Sequence, residues 1–170
     1  MMFWSFFYRR AKGESMQQSG DRKWRIEQLL HKMKSKQKPA YSSLLEECVE
    51  ALGEGTIVLS DQTSDKMSEE LSDAYCFTAW GKFNWSKIPN QYHVNNAAEV
   101  VTALNVLKMD VELPVFIIWD GDHPVLETKW LNVMDAIDDV LAVDFNTYIY
   151  CPNHYVVEFY RGSEITIGWV

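Results

Sequence analysis

Apolar residues recur three or four positions apart in four stretches of the chain, a spacing that lines them along one face of an α-helix. The four predicted helices cover residues 21–38, 42–52, 95–108 and 130–143. Pro39 stops the first helix, and Gly53 ends the second, because glycine adopts the left-handed cap conformation without strain. Residues 61–73 are polar and predict a loop with at most one helical turn.

Shorter runs either alternate between apolar and polar residues or are apolar throughout, which is typical of β-strands. The predicted strands cover residues 56–59, 74–80, 114–119, 125–128, 147–151, 155–161 and 164–170, while residues 81–91 stay ambiguous. A tight turn at 120–123 (DGDH) pairs the fourth strand back onto the third, and short turns make the last three strands antiparallel neighbours. The pattern predicts an α+β fold: a single domain with a mostly antiparallel sheet, about four helices and a closing three-stranded meander.

The 170-residue chain carries its charge in two blocks of opposite sign. Residues 1–38 hold ten lysines and arginines against three acids, and residues 39–170 hold six against 21, so the net charges are +7 and −15. We expect residues 1–20 to form a flexible basic and apolar arm and residues 21–170 to form the α+β domain. A body this acidic favours a basic partner and repels nucleic acid.

The first eight residues and the three cysteines indicate where in the cell the protein is expected. Residues 1–8 are apolar but far shorter than the ~20 residues that span a bilayer, so no stable membrane insertion is predicted. Cys48, Cys76 and Cys151 are odd in number and widely spaced, which argues against disulfides and a zinc site. We expect three buried free thiols and a cytoplasmic location.

No segment of the sequence has the pattern of a catalytic or cofactor site. There is no GxSxG elbow and no P-loop, and the four histidines are far apart. The DGDH turn has Leu131 where a calcium loop would place its last carboxylate. We therefore predict no catalytic residue, no cofactor and no metal, and the protein is not expected to be an enzyme.

Acids next to aromatic residues are the best candidates for a partner-binding surface. One group lies at the end of the predicted hairpin and comprises Trp119, Asp120 and Asp122. The other group lies on or near the fourth predicted helix and comprises Trp130, Asp135, Asp138, Asp139 and Asp144. We interpret the two tryptophans as exposed anchors and the acids as a docking surface around them.

The stretch from residue 54 to 88 (EGTIVLSDQTSDKMSEELSDAYCFTAWGKFNWSKI) and the tyrosine-rich closing meander resemble the immunity proteins of bacterial toxin–immunity pairs, above all those of contact-dependent growth inhibition. The resemblance implies a protein that binds the C-terminal domain of a cognate toxin and neutralises it. The expected toxin is a basic RNase or DNase whose active-site cleft is blocked by the acidic protein, which does not itself bind nucleic acid. Two other functions stay open: a small hydrolase with scattered acids, and an adaptor that uses the basic N-terminal arm.

Overall fold

The computed structural model describes residues 42–161 and 164–169. The described residues form five α-helices, which are α1 (Ser43–Leu52), α2 (Asp61–Ala74), α3 (Val100–Val106), α4 (Trp130–Asp135) and α5 (Ile137–Ala142). They also form seven strands, which are β1 (Ile57–Val58), β2 (Asn90–Val94), β3 (Val115–Trp119), β4 (Leu126–Thr128), β5 (Asn146–Cys151), β6 (Tyr155–Tyr160) and β7 (Glu164–Trp169).

All seven strands belong to one antiparallel sheet, in the order β1-β4-β3-β5-β6-β7-β2. The last three strands form the predicted meander, and β3 and β4 form the predicted hairpin. Every residue of β5 is buried, because this strand lies in the middle of the sheet and is covered on both faces. The α+β prediction with a mostly antiparallel sheet is confirmed.

The two faces of the sheet have different cores. On one face, α1, α3, α4 and α5 pack against the sheet and enclose the larger apolar cluster. On the other face, α2 and residues 75–88 cover a smaller cluster rich in aromatic side chains. Alternate residues of β5 enter the two clusters, Ile149 the first and Tyr148 the second, because successive side chains of a strand point to opposite faces.

The prediction of a loop at 61–73 is wrong, because these residues form the 14-residue helix α2. Ser60 caps this helix, and its hydroxyl accepts a hydrogen bond from the backbone N–H of Thr63 at 3.3 Å. Only Ser64 and Leu71 are buried in α2. Met67 also packs against the smaller cluster, but the helix has few apolar residues, so its polar composition resembles that of a loop.

Two further predictions need correction. The strand predicted at 74–80 does not form, and this segment contributes only an isolated bridge between Phe77 and Phe83. The fourth predicted helix is divided into α4 and α5 at Ala136, whose backbone is not helical (φ −116°, ψ 24°). The third predicted helix is present as α3, preceded by a short 3₁₀ turn at Ala97–Glu99. The helix predicted at 21–38 and the arm predicted at 1–20 lie outside the described residues.

Candidate functional site

The sequence-predicted acids Asp120 and Asp144 meet at one end of the sheet, where β3 ends and β5 begins. The backbone N–H of Asp120 donates to the carbonyl oxygen of Asn146 at 3.3 Å, which extends the β3–β5 pairing by one residue. The side-chain amide of Asn146 donates to Oδ2 of Asp120 at 3.2 Å. Antiparallel pairing therefore holds the Asp120 carboxylate beside the first residue of β5.

Asp144 packs against the turn that follows Asp120. Its Oδ1 accepts from the backbone N–H of Phe145 at 2.6 Å, and its Oδ2 lies 3.7 Å from Nε2 of His123. A Cβ atom on Gly121 would lie 2.5 Å from Oδ2 of Asp144, so a larger residue there would displace this carboxylate. Asp120, the exposed Asp122 and Asp144 thus belong to one small region of the surface.

The segment 76–84 reaches the same region because a buried glutamate holds it against the sheet. Glu158 of β6 is 1% exposed, and its carboxylate accepts from the backbone N–H of Phe83 at 2.7 Å and from the indole N–H of Trp85. Burial raises the pKa of Glu158, and these two hydrogen bonds lower it in part. Further along, the Tyr148 hydroxyl donates to the carbonyl oxygen of Gly81. Gly81 has φ +73°, and a Cβ there would contact the Asp120 carboxylate.

Two aromatic side chains stand in solvent beside these acids. Trp80 precedes Gly81 and is 79% exposed, and Phe145 follows Asp144 and is 80% exposed. Large exposed aromatic side chains next to charged groups are typical of protein-binding surfaces. We call the set Trp80, Asp120, Asp122, Asp144 and Phe145 the acidic sheet end.

The sequence pattern predicts the three acids of this surface but neither aromatic residue. Trp80 ends a predicted strand that does not form, and Phe145 directly precedes β5. The sequence offers only a weak signal for the two, because Trp80 stands beside a glycine and Phe145 beside an aspartate.

The prediction that Trp119 and Trp130 are exposed anchors is wrong, because they are 5% and 2% exposed. The indole N–H of Trp119 donates to the carbonyl oxygen of Val140 at 3.1 Å, and that of Trp130 donates to the Tyr155 hydroxyl at 2.7 Å. Both rings belong to the larger core cluster, so their contribution is to stability.

The remaining predicted acids, Asp135, Asp138 and Asp139, lie on the helical layer and are exposed. Helix α5 packs against α1, whose exposed glutamates are Glu46, Glu47 and Glu50. Burial and, secondarily, the charge of Asp139 raise the pKa of Cys48 in α1 to about 12. The structure therefore separates the eight predicted residues into a sheet-end group, a helical-layer group and two core tryptophans.

A cavity of about 430 Å³ opens next to Asp120, between α2, residues 77–81 and the sheet. Its apolar wall contains Leu71, Phe77, Ile118 and Tyr148, and its polar lining contains Ser68, Ser72, Thr78 and Asp120. Burial raises the pKa of Tyr148, and the nearby charges of Asp120, Glu158 and Asp144 raise it further. The cavity therefore lies in a region of negative potential.

Within 42–161 and 164–169, no group of three or more His, Cys, Asp or Glu side chains is arranged to hold a metal ion. In the same ranges no helix combines the length and the apolar character needed to cross a membrane. Cys48 and Cys151 are buried as predicted, but Cys76 is exposed because the strand predicted around it does not form.

Fold and surface together describe a small acidic α+β domain with exposed aromatic side chains beside its acids. Residues 42–168 match the family model described as CdiI immunity protein, EcoliA0-like, and the chain belongs to this family. It is an immunity protein of contact-dependent growth inhibition, which confirms the resemblance seen in the sequence. A comparison with curated proteins found no match. Because immunity proteins act by binding a cognate toxin, the family favours a binding role over catalysis.

Proposed function

We propose that this immunity protein neutralises a basic nuclease toxin by docking the acidic sheet end into the toxin's active-site cleft. The observation that carries the proposal is the position of Asp120, Asp122 and Asp144 beside two aromatic side chains that are 79% and 80% exposed. A side chain of this size is left in water at some cost, and covering it in an interface recovers that free energy.

Electrostatics support a basic partner. Residues 39–170 carry a net charge of −15, so the domain repels nucleic acid and attracts a cleft that is built to hold phosphates. Complementary potentials raise association rates to about 10⁸–10⁹ M⁻¹s⁻¹ at low salt, and this advantage falls as salt screens the charges. The immunity protein occupies the place of the RNA or DNA and does not contact nucleic acid itself.

The second acidic region, on the helical layer, provides the internal comparison for a charge-reversal experiment. Binding of the purified toxin C-terminal domain is measured by stopped flow at several salt concentrations, with D120K/D122K and D138K/D139K as the two variants. We expect the first pair to slow association about tenfold or more and to flatten its salt dependence, and the second to change it less than about threefold. The opposite ranking, in folded proteins, would place the docking surface on the helices.

The two aromatic residues test the centre of the proposed interface. Trp80→Ala and Phe145→Ala should each raise the dissociation rate about 30-fold, because interface anchors contribute roughly 2 kcal/mol or more. Leu131→Ala is the matched control, since Leu131 is 72% exposed on α4, away from the acidic sheet end. Wild-type protein should also abolish the nuclease activity of the toxin in vitro. A toxin that stays active while bound would refute the blocking of its cleft and leave the immunity role intact.

A further inference from the structure

The cavity beside Asp120 combines a deep apolar wall with a charged rim. Leu71, Ile118 and the ring of Phe77 provide the apolar wall. The Asp120 carboxylate stands at its polar side and is itself exposed. The volume of about 430 Å³ lies within the roughly 300–1,000 Å³ range of pockets that enclose ligands. A ligand that fits both sides has an apolar stem and a cationic end.

A buried amide holds the carboxylate in place at the edge of the cavity. Asn146 is 6% exposed, does not line the cavity, and donates from its amide nitrogen to Oδ2 of Asp120. The orientation of the amide follows from this contact, because only the nitrogen can donate to a carboxylate. The Asp120 side chain itself stays exposed, so its carboxylate can accept further hydrogen bonds from a ligand.

We propose that this pocket, formed by the β3–β5 end and α2, receives an arginine side chain of the cognate toxin, a step that rests on the proposed function. The guanidinium donates to the Asp120 carboxylate, and its methylene stem packs along Leu71 and Ile118. The choice of arginine follows from its planar fork of five donors, which pairs with both oxygens of a carboxylate and stacks on aromatic rings. A lysine ammonium is a compact charge without that plane, and an acidic side chain is repelled by Asp120 and Asp144.

The first experiment compares two acids in different regions of the surface in binding to the purified toxin domain. Asp120→Asn should weaken the affinity about tenfold or more, whereas Asp138→Asn, the matched control on the helical layer, should change it less than about threefold. Ser72→Phe fills the pocket from α2 and should weaken binding at least as much as Asp120→Asn. Thr63→Phe, which places the same ring on the exposed N-terminal turn of α2, is its control. Circular dichroism and urea unfolding verify that each variant is folded.

A double-mutant cycle then identifies the side chain that enters the pocket. Each arginine and lysine of the toxin domain is changed to glutamine, and each variant is tested against wild-type and Asp120→Asn immunity protein. We expect one arginine position at which the effect of Asp120→Asn disappears. Coupling to a lysine alone, or equal effects of Asp120→Asn and Asp138→Asn, would overturn the arginine proposal while the immunity function stands.

A probe experiment keeps the pocket testable without the toxin. N-acetyl-L-arginine methylamide is titrated into the ¹⁵N-labelled protein, with N-acetyl-L-citrulline methylamide as the neutral probe of the same shape. The arginine probe should shift the side-chain amide resonances of Asn146, the citrulline probe should not, and Asp120→Asn should abolish the shift. If wild-type protein fails to bind any toxin domain, the proposed function is lost and this titration alone decides the pocket. Absence of a shift with the arginine probe would then overturn the inference.

Discussion

Replacing Glu158 with glutamine tests how the buried carboxylate holds residues 76–84 on the sheet. The carboxylate accepts two hydrogen bonds, one from the backbone N–H of Phe83 at 2.7 Å and one from the indole of Trp85. A glutamine side chain has the same shape as glutamate but has one acceptor oxygen instead of two. Its NH₂ group therefore faces one of the two N–H donors. One buried donor loses its partner, which costs about 1–3 kcal/mol. In a chain of 170 residues this lowers the melting temperature by roughly 2–12 °C.

The stability difference between the wild type and this variant should depend on pH in one direction. Burial raises the pKa of Glu158 above the ordinary value of 4.5, so in the window above 4.5 the folded protein keeps a proton that the unfolded chain has released. The stabilisation from this proton is complete below pH 4.5 and is lost as the pH rises through the folded pKa. Glutamine has no such proton. The deficit of the variant should therefore shrink with rising pH, by up to about 1.4 kcal/mol per pH unit.

Urea unfolding of both proteins between pH 4.5 and 8 measures this difference. Glu127→Gln, at a partly buried glutamate on β4, is the matched control for the same substitution at another strand position. Hydrogen exchange should also show faster opening of residues 76–84 in Glu158→Gln at neutral pH. A deficit that stays constant or grows with pH would refute the account of Glu158 as a buried carboxylate with a raised pKa.

The core tryptophans and the cysteines give two further predictions. Trp119→Phe and Trp130→Phe should each lower the free energy of unfolding by about 1–3 kcal/mol, because a buried indole hydrogen bond and ring volume are lost. Neither substitution should change toxin affinity in a folded protein, and a selective loss of affinity measured by calorimetry would return these residues to the interface. Iodoacetamide at pH 8 should modify Cys76 within minutes, while the buried Cys48 and Cys151 should react only on unfolding, as mass spectrometry would show. Equal labelling of all three thiols in the native protein would contradict the described burial.

The local sequence pattern was sufficient to predict elements that have a clear apolar face or a continuous apolar run. Helix α1 and strand β3 were predicted within one or two residues, because each has a continuous apolar face or run bounded by a turn signal. The closing meander followed from three alternating runs joined by short turns. Helix α2 was missed because it is polar in composition, and Met67 and Leu71 are the apolar residues that it packs against the smaller cluster.

Some features of the candidate site also follow from the local sequence, whereas others depend on contacts between distant residues. Composition alone established the acidic charge of the body, and the order of residues placed Asp120 and Asp122 in a turn. Trp119 and Trp80 look alike in the sequence, each at the end of a strand-like run, yet the first is 5% exposed and the second 79%. Which of two aromatic residues enters the core depends on the face that the helices cover, and no local pattern records that choice.

The sequence by itself therefore determined the class of the fold, most of its elements and the sign of its charge, since these depend on neighbours a few positions apart and on sums over residues. Only the tertiary structure decided that Asp120 meets Asp144 and Asn146, because it is 24 and 26 positions away from them and is brought there by the register of β3 on β5. It likewise decided that Glu158 brings residues 76–84 to that end of the sheet. Contacts between distant segments form when complete layers pack, and the energy that selects them belongs to the whole core rather than to any one segment.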